Sequence, residues 1–257
     1  MDLPVLSLLT VNFGSFERIE SLWRSIQKFP PSVEWEWIIV DNPTKKGGDG
    51  VRLDTFFEKE KRVHVIQLVE NLGYGGGNAE GFRFCQGEIL AILNPDIEVS
   101  EGTIDTLLST LKQEKNAGIV VPVLKTREGE ILENCRKFPS LWGLTTRRLF
   151  GSQILKKAQK EDIRETEWAQ GSFWVLKRDT FEKLKGFDPR FFLFLEDTDF
   201  CRRVWKKGFR VLQIRAAVAI HSPNRLSGGN IFNALCRKTF WIHLESVVKY
   251  FWKWKGV

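Results

Sequence analysis

The chain has 257 residues, 42% of them hydrophobic and 28% charged, enough for one full α/β core and ordinary for a globular protein. Its formal charge of +7 suits phosphate-bearing ligands, nucleic acid or an anionic membrane surface without choosing among them. No run approaches the ~20 apolar residues of a membrane span, and Asp2 with the apolar run after it reads as a first strand, not a leader. Cys85, Cys135, Cys201 and Cys236 lack metal spacing and fit free thiols in a reducing cytoplasm.

The first 120 residues alternate between strand and helix patterns. VLSLLTVN (5–12) reads as a buried strand, and Ser15 can cap a helix over about 16–28. WEWIIVDN (35–42) predicts a second strand. A helix around 52–60 leads to a third strand, VHVIQLV (63–69). A glycine-rich turn and a helix over roughly 76–86 precede EILAILNPD (88–96), a fourth. Thr103 to Glu114 reads as helix and AGIVVPVL (117–124) as another strand. Continuous apolar strands separated by helices imply a mostly parallel sheet covered on both faces. Ligands of such sheets sit beyond the C-terminal strand ends, where Asn12, Asp41, Asn71 and Asp96 fall.

From about 135 to 165 the pattern dissolves into a basic stretch with Arg147, Arg148, Lys156 and Lys157, read as a loop or short helical insertion. WAQGSFWVLKRD (168–179) recovers as a strand running into a helix start at Asp179. Glu196 to Lys207 reads as helix, FRVLQI and VAIH as two short strands, and about 231–254 as a final helix. There is no internal repeat or low-complexity linker. The expected organisation is one domain over 1–230, its two halves meeting at about 125, plus a helical tail over 231–257.

Several short stretches carry chemistry. In FFLFLEDTDFCRR, Glu196, Asp197 and Asp199 follow a run of aromatics. Carboxylates beside apolar bulk are costly unless used, and these could hold a metal, accept a proton or cap the helix that follows. Pro95 ends the fourth strand and presents Asp96 at the sheet edge, where a carboxylate can meet a cation beside a diphosphate. NLGYGGGNAEGFR (71–83) is either a tight turn or an anion-binding helix start. It lacks both the third glycine of a dinucleotide fingerprint and the Lys-Ser/Thr of a P-loop. In the tail, Trp241, Leu244, Val248, Phe251 and Trp252 fall near one helical face, with Lys238, Lys249, Lys253 and Lys255 around it. That pattern suits either a helix docked on the core or contact with an anionic bilayer.

In order along residues 5 to about 225, these stretches resemble glycosyltransferase family 2, the inverting, nucleotide-sugar-dependent enzymes of GT-A fold, and within it the rhamnosyltransferase-like branch. The carriers are Thr10-Val11-Asn12, Val40-Asp41-Asn42, Asn71 to Asn78, Asn94-Pro95-Asp96, Gly171-Ser172-Phe173, Gly186-Phe187-Asp188, Phe191-Phe192 leading to Glu196-Asp197-Thr198-Asp199, and His221. The resemblance implies a nucleotide-binding half to about 125, an acceptor half over 126–230, and a uracil or thymine base bound by Asp41. It places Thr10, Asn12, Asn71, Gly73, Tyr74, Gly77, Asn78, Asn94 and Asp96 around the donor. Asp96 matches the last aspartate of the family's DxD pattern, with Asn94 in place of the first. Asp197 matches the catalytic base with Glu196 beside it, and Asp96 and His221 would hold Mn2+ or Mg2+.

The implied reaction moves rhamnose from dTDP-rhamnose to a hydroxyl of a glycan or lipid-linked glycan in cell-surface polysaccharide synthesis. Other donors in view are UDP-hexoses and UDP-galactofuranose. The implied place is the cytoplasm, with peripheral contact at the inner membrane face. Three other classes fit less well. A nucleic-acid module would show a recognisable pattern and clustered basic residues. A nucleotidyltransferase would carry a glycine- and lysine/arginine-rich loop where TVNFGSFERIE stands. A non-catalytic nucleotide-sugar-binding protein would lack Asp197.

Overall fold

The computed structural model describes residues 4–140, 161–222 and 238–255. In chain order the elements are β1 (Leu6–Asn12), α1 (Phe16–Lys28), β2 (Trp35–Asp41), α2 (Gly50–Phe57), β3 (Val63–Gln67), α3 (Gly73–Phe82), β4 (Ile89–Leu93), β5 (Ile97–Val99), α4 (Thr103–Gln113) and β6 (Ala117–Lys125). There follow β7 (Cys135–Arg136), β8 (Ile163–Thr166), β9 (Trp168–Ala169), β10 (Phe173–Lys177), α5 (Arg178–Lys183), α6 (Glu196–Lys206), β11 (Arg210–His221) and α7 (Lys238–Lys253). Arg147, Arg148, Lys156, Lys157, Cys236 and the start expected for the last helix lie outside the described residues.

The main sheet runs β3-β2-β1-β4-β10-β6-β11-β5, with β8 also on β11. β3, β2, β1 and β4 are parallel, as their unbroken apolar runs require. Strand order reverses between β1 and β4, and such a switch point opens a crevice at the carboxyl ends of the strands. β6 does not extend this parallel run. β10 intervenes, antiparallel to both β4 and β6.

Residues 210–221 form one strand, not two, with register shifts near Val211 and between Ile214 and Val218. A bulge keeps a strand paired while re-aiming its side chains. The stretch read as one strand over 168–179 divides into β9 and β10, and part of the stretch read as irregular forms β7 and β8. The glycine-rich helix starts at Gly73, earlier than its pattern suggests.

Two apolar layers cover the sheet. On one face α1 inserts Ile19, Leu22, Trp23 and Ile26, spaced for one side of a helix, beside Leu107 and Leu111 of α4. On the other, Phe181, Phe200 and Val204 of α5 and α6 pack with Leu9, Val40 and Trp174. Ser15 does not cap α1. Its hydroxyl donates to Phe13 O, and its own N–H goes to Asn12 Oδ1.

α3 has five glycines in ten residues, a poor helix by propensity. A Cβ at Gly77 would lie 2.9 Å from Val11, so the missing side chain lets the helix sit directly on β1. The C-terminal helix docks. Tyr250 and Trp254 are buried against Phe191, with Phe251 partly buried beside them. Phe251 therefore belongs to the docked side and not to the apolar face expected from the sequence. Cys85, Cys135 and Cys201 are buried free thiols, and burial pushes the first two up to about 12.

Candidate active site

The register of β1 and β2 sets Asn12 opposite Asp41 at the sheet edge. Asn12 Nδ2 donates to Asp41 Oδ1 at 2.8 Å and to Asp49 Oδ2 at 2.9 Å, joining the ends of both strands to the start of α2. Sequence reasoning misses Asp49, because no pattern links it to Asn12. Thr10 lies deeper, and its hydroxyl accepts the indole N–H of Trp37 at 3.0 Å.

Asn42 closes the next gap: Nδ2 donates to Gly73 O at 2.8 Å, and Oδ1 accepts from Leu72 N at 3.1 Å. Asn71 Oδ1 accepts from Gly73 N at 2.8 Å. Gly73 has φ +74, and a Cβ there would lie 1.9 Å from Phe192 O, so this turn can meet the 191–195 loop only through glycine. Tyr74 N then donates to Phe192 O at 3.0 Å. Asn78 is buried; its Nδ2 donates to Tyr74 O at 2.9 Å, and its Oδ1 has no protein partner.

Glu196 and Asp197 open α6 directly after Phe194 and Leu195, two non-glycine residues in left-handed conformation. Such backbone is costly and persists only where its surroundings hold it. Asp197 Oδ2 accepts from Gly171 N at 3.1 Å, and Oδ1 accepts from Thr198 N at 2.6 Å and Thr198 Oγ1 at 3.1 Å. The carbonyl of Gly171 accepts from the Tyr74 hydroxyl. Tyr74 thus braces the residue that holds Asp197.

Glu196 is buried, and its Oε2 has no partner. Burial and then the Asp197 charge push its carboxyl well above the usual range. Burial also raises Asp197, but its three donors pull back. A proton shared by the pair therefore rests on Glu196, leaving Asp197 as the anion.

One strand over, the Asn94 N–H donates to Ser172 O at 2.9 Å, next to the Gly171 that holds Asp197. Three residues beyond β4, Asp96 meets the end of β11. The β5–β11 register sets Ile97 opposite His221, and His221 Nε2 lies 3.3 Å from Asp96 Oδ1. That oxygen is buried without a hydrogen-bond partner, as is Asn94 Oδ1. Arg18 of α1, which no sequence pattern marks either, reaches Asp96 Oδ2 at 2.9 Å.

Among the described residues no three His, Cys, Asp or Glu side chains converge on one point. The pair Asp96 and His221 still fits Mg2+ or Mn2+, which take few protein ligands and complete their shell with phosphate oxygens and water. The orphaned Asp96 Oδ1 beside an imidazole nitrogen is the observation that supports the fit. Burial raises the Tyr74 phenol well above its ordinary value, and the charges of Glu196, Asp197 and Asp96 add to it, so one ring senses both carboxylate sites.

Residues 7–185 match the family model described as Glycosyl transferase family 2. This chain belongs to glycosyl transferase family 2. It is 27% identical over 221 residues to the low-salt glycan biosynthesis hexosyltransferase Agl10 of Haloferax volcanii, covering 84% of this chain and 67% of that protein. It is 24% identical over 249 residues to the N-acetylglucosaminyl-diphospho-decaprenol L-rhamnosyltransferase of Mycobacterium tuberculosis, covering 87% and 78%. Membership of the family makes it a glycosyltransferase.

The fold is shared with GalNAc-T7, solved with UDP, GalNAc and Mn2+, at TM-score 0.66 and 14% identity over 89% of this chain. It is also shared with the mannosyltransferase PcManGT of Pyrobaculum calidifontis, solved with GDP-Man and Mn2+, at TM-score 0.60 and 18% identity over 88% of this chain. The match spans 46% and 59% of those longer chains. The architecture is the GT-A fold.

Proposed function

We propose that this family 2 enzyme inverts the anomeric centre as it moves a sugar from a nucleoside diphosphate to an acceptor hydroxyl, with dTDP-rhamnose the first donor to test. Asp41, buried and clipped by Asn12, receives the N3–H of thymine or uracil. Asp197 takes the acceptor proton while the hydroxyl oxygen attacks the anomeric carbon in line with the departing diphosphate. Glu196, holding a proton, keeps a second negative charge away from Asp197. Gly171 and Tyr74 fix the direction of the Asp197 carboxylate. Asp96 and His221 are the residues that would hold a divalent cation, which when bound would offset charge gathering on the leaving diphosphate.

The observation that most supports this reading is the contact path from Asp197 through Gly171 and Ser172 to Asn94, two residues before Asp96. Such a path suits an anionic base and a cation-competent carboxylate facing each other across one crevice. The relatives named as rhamnosyl- and hexosyltransferases favour a deoxyhexose or hexose. The acceptor proposed is a glycan or lipid-linked glycan, met at the inner membrane face and not on nucleic acid.

The test is a panel of dTDP- and UDP-sugars, UDP-galactofuranose included, with and without Mn2+ or Mg2+, read by melting temperature and by release of nucleoside diphosphate. A ligand that binds only the native state raises the melting temperature. A shift confined to dTDP-sugars, with slow donor hydrolysis, supports the rhamnosyl reading. A shift confined to UDP-sugars moves the donor to a UDP-hexose. No shift with any nucleotide overturns the roles of Asp41 and Asp96.

A further inference from the structure

Arg18 belongs to none of the patterns that brought the other site residues to notice. It stands in the first turn of α1, 78 positions before Asp96, and its Nη1 lies 2.9 Å from Asp96 Oδ2. The opposite oxygen, Oδ1, faces His221 Nε2 at 3.3 Å. The Arg18 side chain keeps 29% of its exposure against 12% for Asp96, so the pair is partly open to solvent and to a ligand arriving from it. Asn94, where a second carboxylate would add charge, is neutral, and its Oδ1 is buried without a partner.

These charges set an order of preference. Asp96 and Arg18 together sum to zero, so a free divalent cation arriving there gains little and meets a like charge. An arriving diphosphate finds a planar, permanently charged group whose N–H fork matches phosphate oxygens. Once Arg18 turns to the diphosphate, Asp96 is released to face a cation that the phosphates also attract.

We propose that Arg18 is a diphosphate-binding residue, and that its ion pair with Asp96 makes cation binding depend on prior or simultaneous nucleotide binding. This rests on the reading of Asp96 as the carboxylate beside the donor diphosphate. A purely structural fastener is poorly motivated. α1 is already held by Ile19, Leu22, Trp23 and Ile26 and by Ser25 Oγ, which accepts from Val99 N at 2.9 Å. A partly exposed pair adds little to such an attachment.

The test uses the full chain and its Arg18→Gln and Arg18→Lys variants, with circular dichroism as a check on folding. Calorimetry measures dTDP and UDP binding without cation, and electron paramagnetic resonance measures Mn2+ binding without nucleotide. R18Q should weaken the nucleotide about tenfold, the worth of one hydrogen bond to a charged group. The same change should tighten Mn2+ alone, and R18K should recover part of the nucleotide affinity. Opposite signs for the two ligands are what a structural fastener cannot produce. Nucleotide affinity unchanged in R18Q, or both affinities falling together, overturns the role of Arg18 alone. No nucleotide binding by the unaltered chain overturns the donor-site reading and this one with it.

Discussion

Glu196 and Asp197 are neighbours of the same chemical kind, and their surroundings separate them. Asp197 has three donors, while Glu196 Oε2 has none. Asp197→Asn keeps the shape but cannot take a proton. Transfer should fall at least about a hundredfold while calorimetry finds nucleotide affinity unchanged. Glu196→Gln isolates the other half of the pair. The Glu196 carboxyl is raised above its ordinary 4.5 in the folded state, so the native protein binds more protons than the unfolded chain above that pH. Stability is therefore lost as pH rises through that window. A glutamine has no charge to desolvate, so E196Q should melt higher than wild type at neutral pH and converge with it at about pH 4. Because Glu196 is already neutral where Asp197 takes up its proton, E196Q should leave the acidic limb of the kcat/KM profile in place. A melting difference independent of pH would place the proton elsewhere. At this scale Asp41, Asp96 and His221 draw notice as polar groups at the ends of apolar strands, and Asp197 as a carboxylate directly after a run of aromatics. Asp49 and Arg18 stay hidden, since their partners lie 37 and 78 residues away and no spacing connects them.

At the scale of elements, helix and strand positions follow from periodicity, and the order of the sheet does not. β10 pairs antiparallel between β4 and β6, yet its stretch FWVL is as continuously apolar as the parallel strands beside it. Burial on both faces erases the alternation that would mark it. The same uncertainty splits β11, whose bulge around Arg215–Ala217 interrupts the apolar pattern without ending the strand. The most consequential join is between α6 and α7. Asp199, two residues after Asp197 and fully buried, accepts from Trp254 Nε1 at 2.9 Å and pairs with Lys253 Nζ and Arg203 Nε at 2.6 and 2.9 Å. Lys253 also pairs with Asp188 at 2.6 Å. Burial works against the Asp188 charge, but Arg190 and Lys253 outweigh it and hold that carboxyl below the usual range. α7 further holds the loop entering α6, through Ser246 Oγ to Leu193 O and Lys249 Nζ to Arg190 O, each at 2.8 Å. Lys253→Met leaves two mostly buried carboxylates short of a cation and should cost about 3 kcal/mol in denaturant unfolding. Because the loop carries left-handed Phe194 and Leu195 straight into the acidic pair, kcat should fall more than KM changes. A variant that loses stability with unaltered kcat would separate the tail from the site.

For the whole molecule, the tail has two faces. Ser246, Tyr250 and Trp254, four residues apart, point inward. Trp241, Leu244, Val248 and Trp252 recur on the opposite side and remain exposed, Trp252 at 73% and Val248 at 62%. No helix among the described residues is long and apolar enough to cross a membrane. We propose that this apolar row is a docking surface, with its surroundings favouring a bilayer as the partner. Lys238 and Lys255 are exposed around it, Lys249 is partly exposed, and Glu245 is paired with Lys249 at 2.6 Å. Aromatic residues with lysines beside them, on a chain of net charge +7, match the headgroup layer of an anionic bilayer. The enzyme should therefore sediment with vesicles containing phosphatidylglycerol and much less with neutral phosphatidylcholine vesicles, and added salt should weaken the binding. Trp241→Ser with Trp252→Ser should abolish sedimentation while leaving nucleotide binding intact, because both side chains lie on the face turned away from Asp199. Equal binding to neutral and anionic vesicles would remove the role of the lysines. Unchanged binding by the double variant would remove the stripe itself. A bilayer held by that face would meet the same helix that fastens the loop entering Glu196 and Asp197, through Ser246 to Leu193 and Lys249 to Arg190, so vesicle binding should also be tested for its effect on kcat.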